Sequence, residues 1–147
     1  MFNFPFIITD STVCGAGWYG YLGMCYKFVL QPTTYIAASQ ACLNNSGFLL
    51  TPTISNIDFL TKMLGTAVFS DLNYWWTNLF DQFGGNIYLS SDGNRSAETT
   101  IVLIDSSDLF SNYVVFSSDG TLHRNGTGTS TLPYICQTSN GELLLKY

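Results

Sequence analysis

The alternation of apolar and polar positions divides the chain into short strands, two helices and polar turns. Runs of aromatic and β-branched residues predict strands, because such side chains pack well on a pleated sheet. The first run, Cys14 to Phe28, predicts a hairpin around a turn at Gly20 to Gly23. The other runs predict single strands at Phe48 to Leu50, Tyr74 to Leu79, Tyr113 to Phe116 and Leu132 to Cys136. Phe2 to Ile8 is predicted as an edge strand, since Pro5 is tolerated at an edge, or alternatively as an unpaired tail.

Two segments carry helical signals. Pro32-Thr33-Thr34 is a helix-start signature, and the residues from Tyr35 to Leu43 place apolar positions at three- to four-residue spacing. The second segment begins with Ser55-x-x-Asp58, which predicts a capping box, and Gly65 is a suitable C-terminal cap. Its apolar positions lie on one side of a helix: Ile57, Leu60 and Leu64.

Composition narrows the class of protein. The chain of 147 residues is long enough for one domain with a real core, and its 46% hydrophobic content excludes disorder. Only 10% of the residues are charged, and the net charge of −5 argues against nucleic acid or an anionic membrane surface as partner. No apolar run approaches the roughly 20 residues of a membrane-spanning helix.

The cysteines indicate disulfides rather than a metal site. The chain has four, at positions 14, 25, 42 and 136, without a Cys-x-x-Cys pair and with a single histidine, His123. Disulfides imply an oxidising compartment, and spacing alone leaves three pairings open. Three candidate glycosylation sequons, at Asn44, Asn94 and Asn125, fit a secretory route. Met1 to Asp10 lacks a basic region and does not match a signal peptide, so we interpret Met1 either as a start added for expression or as the beginning of a domain cut from a longer chain.

The last third of the chain resembles a C-type lectin-like domain. Tyr113-Val-Val-Phe, the turn at Gly120 and Leu132-Pro-Tyr-Ile-Cys136 follow that family's order of strand, glycine turn and final Pro-Tyr-Ile-Cys. Cys14, Gly17-Trp18 and Cys25-Tyr26 are similar to the start of the family's long form. The Ser/Asp-rich stretch from Asn94 to Asn112 lies where the family has its long loop.

The resemblance implies an α+β fold, with two flanking helices, small antiparallel sheets and a long loop, in which residues 1–147 form a single domain. It also implies that Cys14 pairs with Cys25 and Cys42 with Cys136. The second bridge would close a long loop and contribute about 4 kcal/mol on chain-entropy grounds. Trp18, Trp75 and Trp76 lie at family core positions, so we expect them in the core.

The residues that carry calcium and sugar in the family are not matched here. Calcium needs six to eight oxygen ligands, and the long-loop Glu-Pro-Asn or Gln-Pro-Asp triplet is missing. His123 and Arg124 stand where the family has Asn-Asp, and Arg124 places a positive charge where a carboxylate would coordinate. The candidate ligand-binding residues that remain are Asp105, Asp108, Asn112 and Asp119, together with His123 and Arg124.

A second family feature is also missing, the long-loop disulfide. Tyr113 stands at one of its positions, and Gly128 or a neighbour at the other. The loop is therefore freer to change shape, or packing of Tyr113 holds it instead.

The resemblance implies a recognition domain that works without calcium and binds a protein or a glycan. Such domains occur in extracellular adhesion proteins, in receptors, where they form the ectodomain of a membrane protein, and in secreted defence proteins. No cofactor and no enzyme activity are expected, because the lone histidine has no nucleophile at a recognisable spacing. The alternatives are a lectin with a differently built calcium or sugar site and a structural module that packs on neighbouring domains. A glycan at Asn125 would cover the family's sugar face, although Asn before Gly126 is also favoured in an unmodified turn.

Overall fold

The structure is a computed structural model that describes residues 12–53, 55–66, 69, 72–81, 88–90, 103–105, 113–124, 128–139 and 142–143. The predicted edge strand at Phe2 to Ile8 lies outside these residues. In chain order the elements are β1 (Thr12–Val13), β2 (Tyr19–Tyr21), β3 (Met24–Thr33), α1 (Tyr35–Asn44), β4 (Phe48–Leu49), α2 (Ile57–Leu64), β5 (Tyr74–Asp81), β6 (Tyr88–Ser90), β7 (Leu103–Asp105), β8 (Tyr113–Ser117), β9 (Leu122–Arg124), β10 (Leu132–Thr138) and β11 (Glu142–Leu143).

A nine-stranded sheet organises the domain, in the order β2-β3-β10-β5-β8-β9-β7, with β4 on β10 and β6 on β5. Most neighbours are antiparallel, but β10 pairs in parallel with β5, and β7 with β9. The sheet is thus mixed where small antiparallel sheets were expected. β1 and β11 form a separate two-stranded sheet. The hairpin, the strands at Tyr74, Tyr113 and Leu132, and both helices follow the sequence prediction.

The two helices begin differently. Thr34 caps α1, since its side-chain oxygen accepts a hydrogen bond from the Ala37 amide at 3.4 Å. The capping box predicted at Ser55 is wrong: the N-cap of α2 is Asn56, which makes no side-chain bond to the helix. Asn56 turns back into the preceding loop instead, where its Oδ1 accepts from the Thr53 amide at 2.8 Å. Its Nδ2 donates to the Thr51 carbonyl at 3.1 Å.

The core consists of two clusters of buried side chains, divided between the two helices. The cluster under α2 contains Leu60, Leu64, Trp75, Phe116 and Ile135, and the cluster under α1 contains Ala38, Cys42, Trp76, Val115 and Cys136. Trp75 and Trp76 are both 0% exposed, because consecutive strand residues point to opposite faces. The prediction of a core position for Trp18 is corrected: this side chain is only partly buried and packs at the margin of the α1 cluster.

Two disulfides cross-link the domain. Cys14 is bonded to Cys25, and Cys42, in α1, is bonded to Cys136, in β10. These are the pairings that the resemblance implies. None of the helices in the described part of the chain is long and apolar enough to cross a membrane.

Candidate functional site

The structure brings some of the predicted site residues together. His123 lies in the middle of β9 and pairs with Asp105 of the parallel strand β7, while Arg124 ends β9 opposite Val114. Asp108 and Asn112 lie outside the described residues, as do the sequons at Asn94 and Asn125. The third sequon residue, Asn44, is exposed at the end of α1, far along the chain from β9.

His123 belongs to a connected group of side chains that we call the polar array. Its members are Tyr74, Asp119, Thr121 and His123. The turn between β8 and β9 positions it, with Gly120 at φ +92°, a conformation that favours glycine. Asp119 Oδ1 accepts hydrogen bonds from the amide of Thr121 at 3.1 Å and from its hydroxyl at 2.6 Å. The hydroxyl oxygen of Thr121 lies 2.9 Å from His123 Nε2.

These contacts determine the direction of the hydrogen bonds. A carboxylate only accepts, so Thr121 donates its single hydroxyl proton to Asp119. The Thr121 oxygen can then only accept from His123, which places a proton on Nε2 of the imidazole. The chain of bonds therefore runs from His123 through Thr121 to Asp119 and fixes the orientation of the ring.

Asp119 is the charged member of the polar array. The hydrogen bond from the Thr121 hydroxyl lowers the pKa of this carboxyl below its ordinary value, with smaller contributions from Ser117 and from the nearby His123. Slight burial opposes this change. The side chain is exposed, so it presents an ionised carboxylate to solvent at neutral pH.

Tyr74 completes the polar array with an aromatic surface. Its ring centroid lies 5.3 Å from that of His123, with the planes at 81°, so the two rings meet edge to face. Tyr74 is 41% exposed. Analysis of the sequence missed Tyr74 and Thr121 as site residues. No pattern in the sequence indicates Thr121, because its place beside Asp119 depends on the turn at Gly120, which precedes β9.

Calcium needs six to eight oxygen ligands. Among the described side chains of this site, the imidazole of His123 is bonded to Thr121, and Asp119 supplies a carboxylate. Within the residues that the structure describes, no three His, Cys, Asp or Glu side chains are grouped to hold a metal ion. What the polar array offers instead is a carboxylate, an imidazole edge and a phenol ring for neutral or hydroxyl-bearing ligands.

Comparison with solved structures identifies the fold. The chain superimposes on the calcium-independent C-type lectin SPL-2 from Saxidomus purpuratus with a TM-score of 0.71 and 20% identity, covering 86% of this chain and 94% of the lectin. It matches a calcium-dependent type II antifreeze protein in its calcium-free form with a TM-score of 0.69 and 17% identity, covering 85% and 99%. It also matches the cow CD23 carbohydrate-recognition domain, solved in the presence of a GlcNAc2Man3 oligosaccharide, with a TM-score of 0.69 and 20% identity, covering 86% and 96%.

The fold is therefore that of a C-type lectin-like domain, as the sequence motifs predicted. No protein-family model matches the chain, and comparison with curated proteins finds no match. The similar structures include both calcium-dependent and calcium-independent proteins, so the fold by itself decides neither the ligand nor the role of calcium.

Proposed function

We propose that the chain is a recognition domain that binds a protein or glycan ligand without calcium, through the polar array. The observation that carries the proposal is the chain of hydrogen bonds from His123 through Thr121 to Asp119, at the strand where the family has metal ligands. These bonds hold the three side chains in place. A surface ordered in this way loses little conformational entropy when a ligand binds.

The chemistry of the polar array supports this role. A carboxylate such as Asp119 accepts hydrogen bonds from ligand hydroxyl or amide groups, and the exposed ring of Tyr74 supplies apolar contact beside it. Tyrosine is enriched at protein interfaces and stacks on sugar rings for the same reason. Among the similar structures are lectins and carbohydrate-recognition domains, which supports a binding role and gives no support to catalysis.

The setting of the domain belongs to the same proposal. We infer an extracellular or secreted location, because two disulfides persist only in an oxidising compartment. Residues 1–147 then form one domain of an adhesion, receptor or defence protein. On the architecture that the resemblance implies, a glycan on Asn125 would obstruct a small sugar and leave a large protein partner able to bind. Mass spectrometry of protein from a secretory host measures whether the glycan is present.

The proposal can be tested with an array that carries both glycans and immobilised proteins. The disulfide-bonded chain is applied once in millimolar calcium and once in chelator, and the same ligands should be bound in both. Tyr74→Ala and Asp119→Ala should each weaken binding by about 10-fold, the effect expected for losing one good contact. Ile36→Ala is the matched control, because Ile36 is 74% exposed on α1 and does not belong to the polar array. Binding that disappears in chelator, or that both array variants leave unchanged, would refute the proposal.

A further inference from the structure

A groove lies several strands away from the polar array in the order of the sheet. It has a volume of about 360 Å³ and is lined by Val13, Gly15, Trp18, Asn45, Thr138 and the Cys14–Cys25 disulfide. It thus runs between the loop after β1 and the C-terminal end of α1, next to β3 and β10. In the strand order these two strands are separated from β9 by β5 and β8. The volume falls in the range of clefts that hold small ligands, about 300–1,000 Å³.

Trp18 forms an aromatic wall of this groove and is held from several sides. Its amide donates to the Gly15 carbonyl at 3.1 Å, and its ring packs against the core cluster under α1. The ammonium of Lys27 lies 5.9 Å from the centre of the ring, a cation–π contact. A ring fixed in this way needs little further ordering when a ligand stacks on it.

The polar part of the lining is uncharged. Asn45 donates a hydrogen bond from Nδ2 to the Ala41 carbonyl at 2.9 Å, which orients the amide and leaves Oδ1 to accept. Thr138 adds a hydroxyl, and Val13 and the disulfide add apolar surface. Asn45 also marks the C-terminal end of α1, where the helix dipole is partly negative and disfavours anions. The lining therefore suits a neutral ligand with one apolar face and hydroxyl groups around its edge.

A hexopyranose ring has this chemistry: its C–H groups form an apolar face, and its hydroxyl groups donate and accept hydrogen bonds. We propose that the groove between Trp18 and Asn45 binds one hexopyranose residue of a neutral glycan, as a site separate from the polar array. The ring stacks on Trp18 while a hydroxyl donates to Asn45 Oδ1. The inference does not depend on the proposed function, because no residue of the polar array lines the groove.

Tryptophan fluorescence of the whole disulfide-bonded chain, prepared without glycans, tests this site. Trp75 and Trp76 are 0% exposed, so quenching by acrylamide reports mainly on Trp18. The methyl glycosides of N-acetylglucosamine, galactose and mannose are the probes. At least one should shield Trp18 from acrylamide with a Kd on the order of 1 mM, the affinity class of a single small ligand on one wall.

Variants then locate the binding, measured by saturation transfer to the sugar so that the readout survives loss of Trp18. Trp18→Ala should weaken binding at least 10-fold, Trp18→Phe only several-fold, and Asn45→Ala about 5- to 10-fold. Ile36→Ala, at a position that is 74% exposed on α1 and lines neither site, should leave it unchanged. The proposal is overturned if none of the three sugars protects Trp18, or if Tyr74→Ala removes the binding while Trp18→Phe and Asn45→Ala retain it. That last result would instead place the sugar at the polar array and support the proposed function.

Discussion

The ring of Tyr113 packs directly against Gly128. A Cβ added to Gly128 would lie 3.1 Å from Tyr113 Cε2 and 3.2 Å from Cδ2 and Cζ. Gly128 also accepts a hydrogen bond from the Tyr35 amide at 3.0 Å, and the Tyr35 ring lies 4.6 Å from that of Tyr113. By resemblance these two positions correspond to the missing long-loop disulfide. Where the family has a disulfide, this chain therefore has a contact between the ring of Tyr113 and Gly128. This contact joins β8 to the loop before β10.

Replacing Gly128 by alanine should destabilise the fold by about 2–4 kcal/mol, as measured by urea unfolding. One part of this cost is the backbone, since φ is +85° and alanine is strained there by about 1–2 kcal/mol. The other part is the collision of the new methyl group with the Tyr113 ring.

Gly17→Ala is the matched control, because Gly17 has φ +86° but a Cβ there would meet no atom within 4 Å. It should show only the backbone cost. In a Tyr113→Ala background the penalty of Gly128→Ala should fall toward that of Gly17→Ala, since the collision is removed. Equal losses for the two glycine variants would show that Tyr113 does not press on Gly128.

The contact between Tyr113 and Gly128 shows what the sequence can reveal. The sequence identified Tyr113 and narrowed the second position to Gly128 or a neighbour, because the motifs on either side align the C-terminal third with the family. The sequence left open whether the loop is free or held by packing, because a side-chain contact across a sheet depends on geometry that no local pattern encodes. The structure shows that Tyr113 packs on Gly128, with Tyr35 as the additional partner that the helical pattern did not indicate. Most of the long loop itself, from Asn94 to Asn112, lies outside the described residues.

Other residues escaped prediction for similar reasons. Ser55 matches a capping motif, but Asn56 competes for the N-cap position, and its bonds into the preceding loop prevail. Trp18 was expected in the core because it lies at a family core position, yet it borders a groove whose lining includes the distant residues Asn45 and Thr138. Tyr74 joins the polar array only because β5 pairs with β8, a long-range pairing.

The two disulfides should contribute unequally to stability. The Cys42–Cys136 bridge spans 94 residues and the Cys14–Cys25 bridge 11. On the chain-entropy estimate the first is worth about 4.7 kcal/mol and the second about 2.8 kcal/mol. The paired variants Cys42→Ala with Cys136→Ala and Cys14→Ala with Cys25→Ala are compared by urea unfolding. A larger loss from the shorter bridge would contradict this ordering.

The adjacent tryptophans of β5 should respond differently to the same substitution. Trp76 Nε1 donates to the Thr33 carbonyl at 2.8 Å, whereas Trp75 Nε1 is buried without a hydrogen-bond partner among the described residues. Trp76→Phe removes the hydrogen bond to the Thr33 carbonyl, while Trp75→Phe removes an unsatisfied donor and offsets part of the lost packing. We expect Trp76→Phe to cost about 1–2 kcal/mol more in free energy of unfolding. Each variant serves as the control for the other. A greater loss in free energy of unfolding from Trp75→Phe would refute the assignment of the hydrogen bond to Trp76 and of the unsatisfied donor to Trp75.

Asp119 should make stability depend on pH in the acid range. Hydrogen bonds, chiefly from Thr121, hold its pKa in the folded protein below the ordinary value of 3.8. The resulting stabilisation is complete above the unfolded pKa and is lost as pH falls through the lower folded pKa. The difference in unfolding free energy between wild type and Asp119→Asn should therefore shrink on acidification.

The carboxyl resonance of Asp119 gives a direct check by NMR titration. Thr121→Val should raise the pKa of Asp119 more than Ser117→Ala does, because the Thr121 hydroxyl is the largest cause of its lowering. A larger effect from Ser117→Ala would show that the bonding in the polar array has been assigned incorrectly.

Calcium should leave the thermal stability of the protein unchanged. A ligand that binds only the folded state stabilises it by RT ln(1 + [L]/Kd), so even a weak site becomes visible in millimolar calcium. Calcium requires six to eight oxygen ligands, whereas the polar array supplies the carboxylate of Asp119 beside His123, which is already bonded to Thr121. Melting curves in calcium and in chelator should superimpose to within about 1 °C. Magnesium at the same concentration controls for screening of the net charge of −5. A rise of several degrees with calcium alone, abolished by replacing Asp105, Asp108 or Asp119 with asparagine, would establish a calcium site and refute the proposed mode of binding.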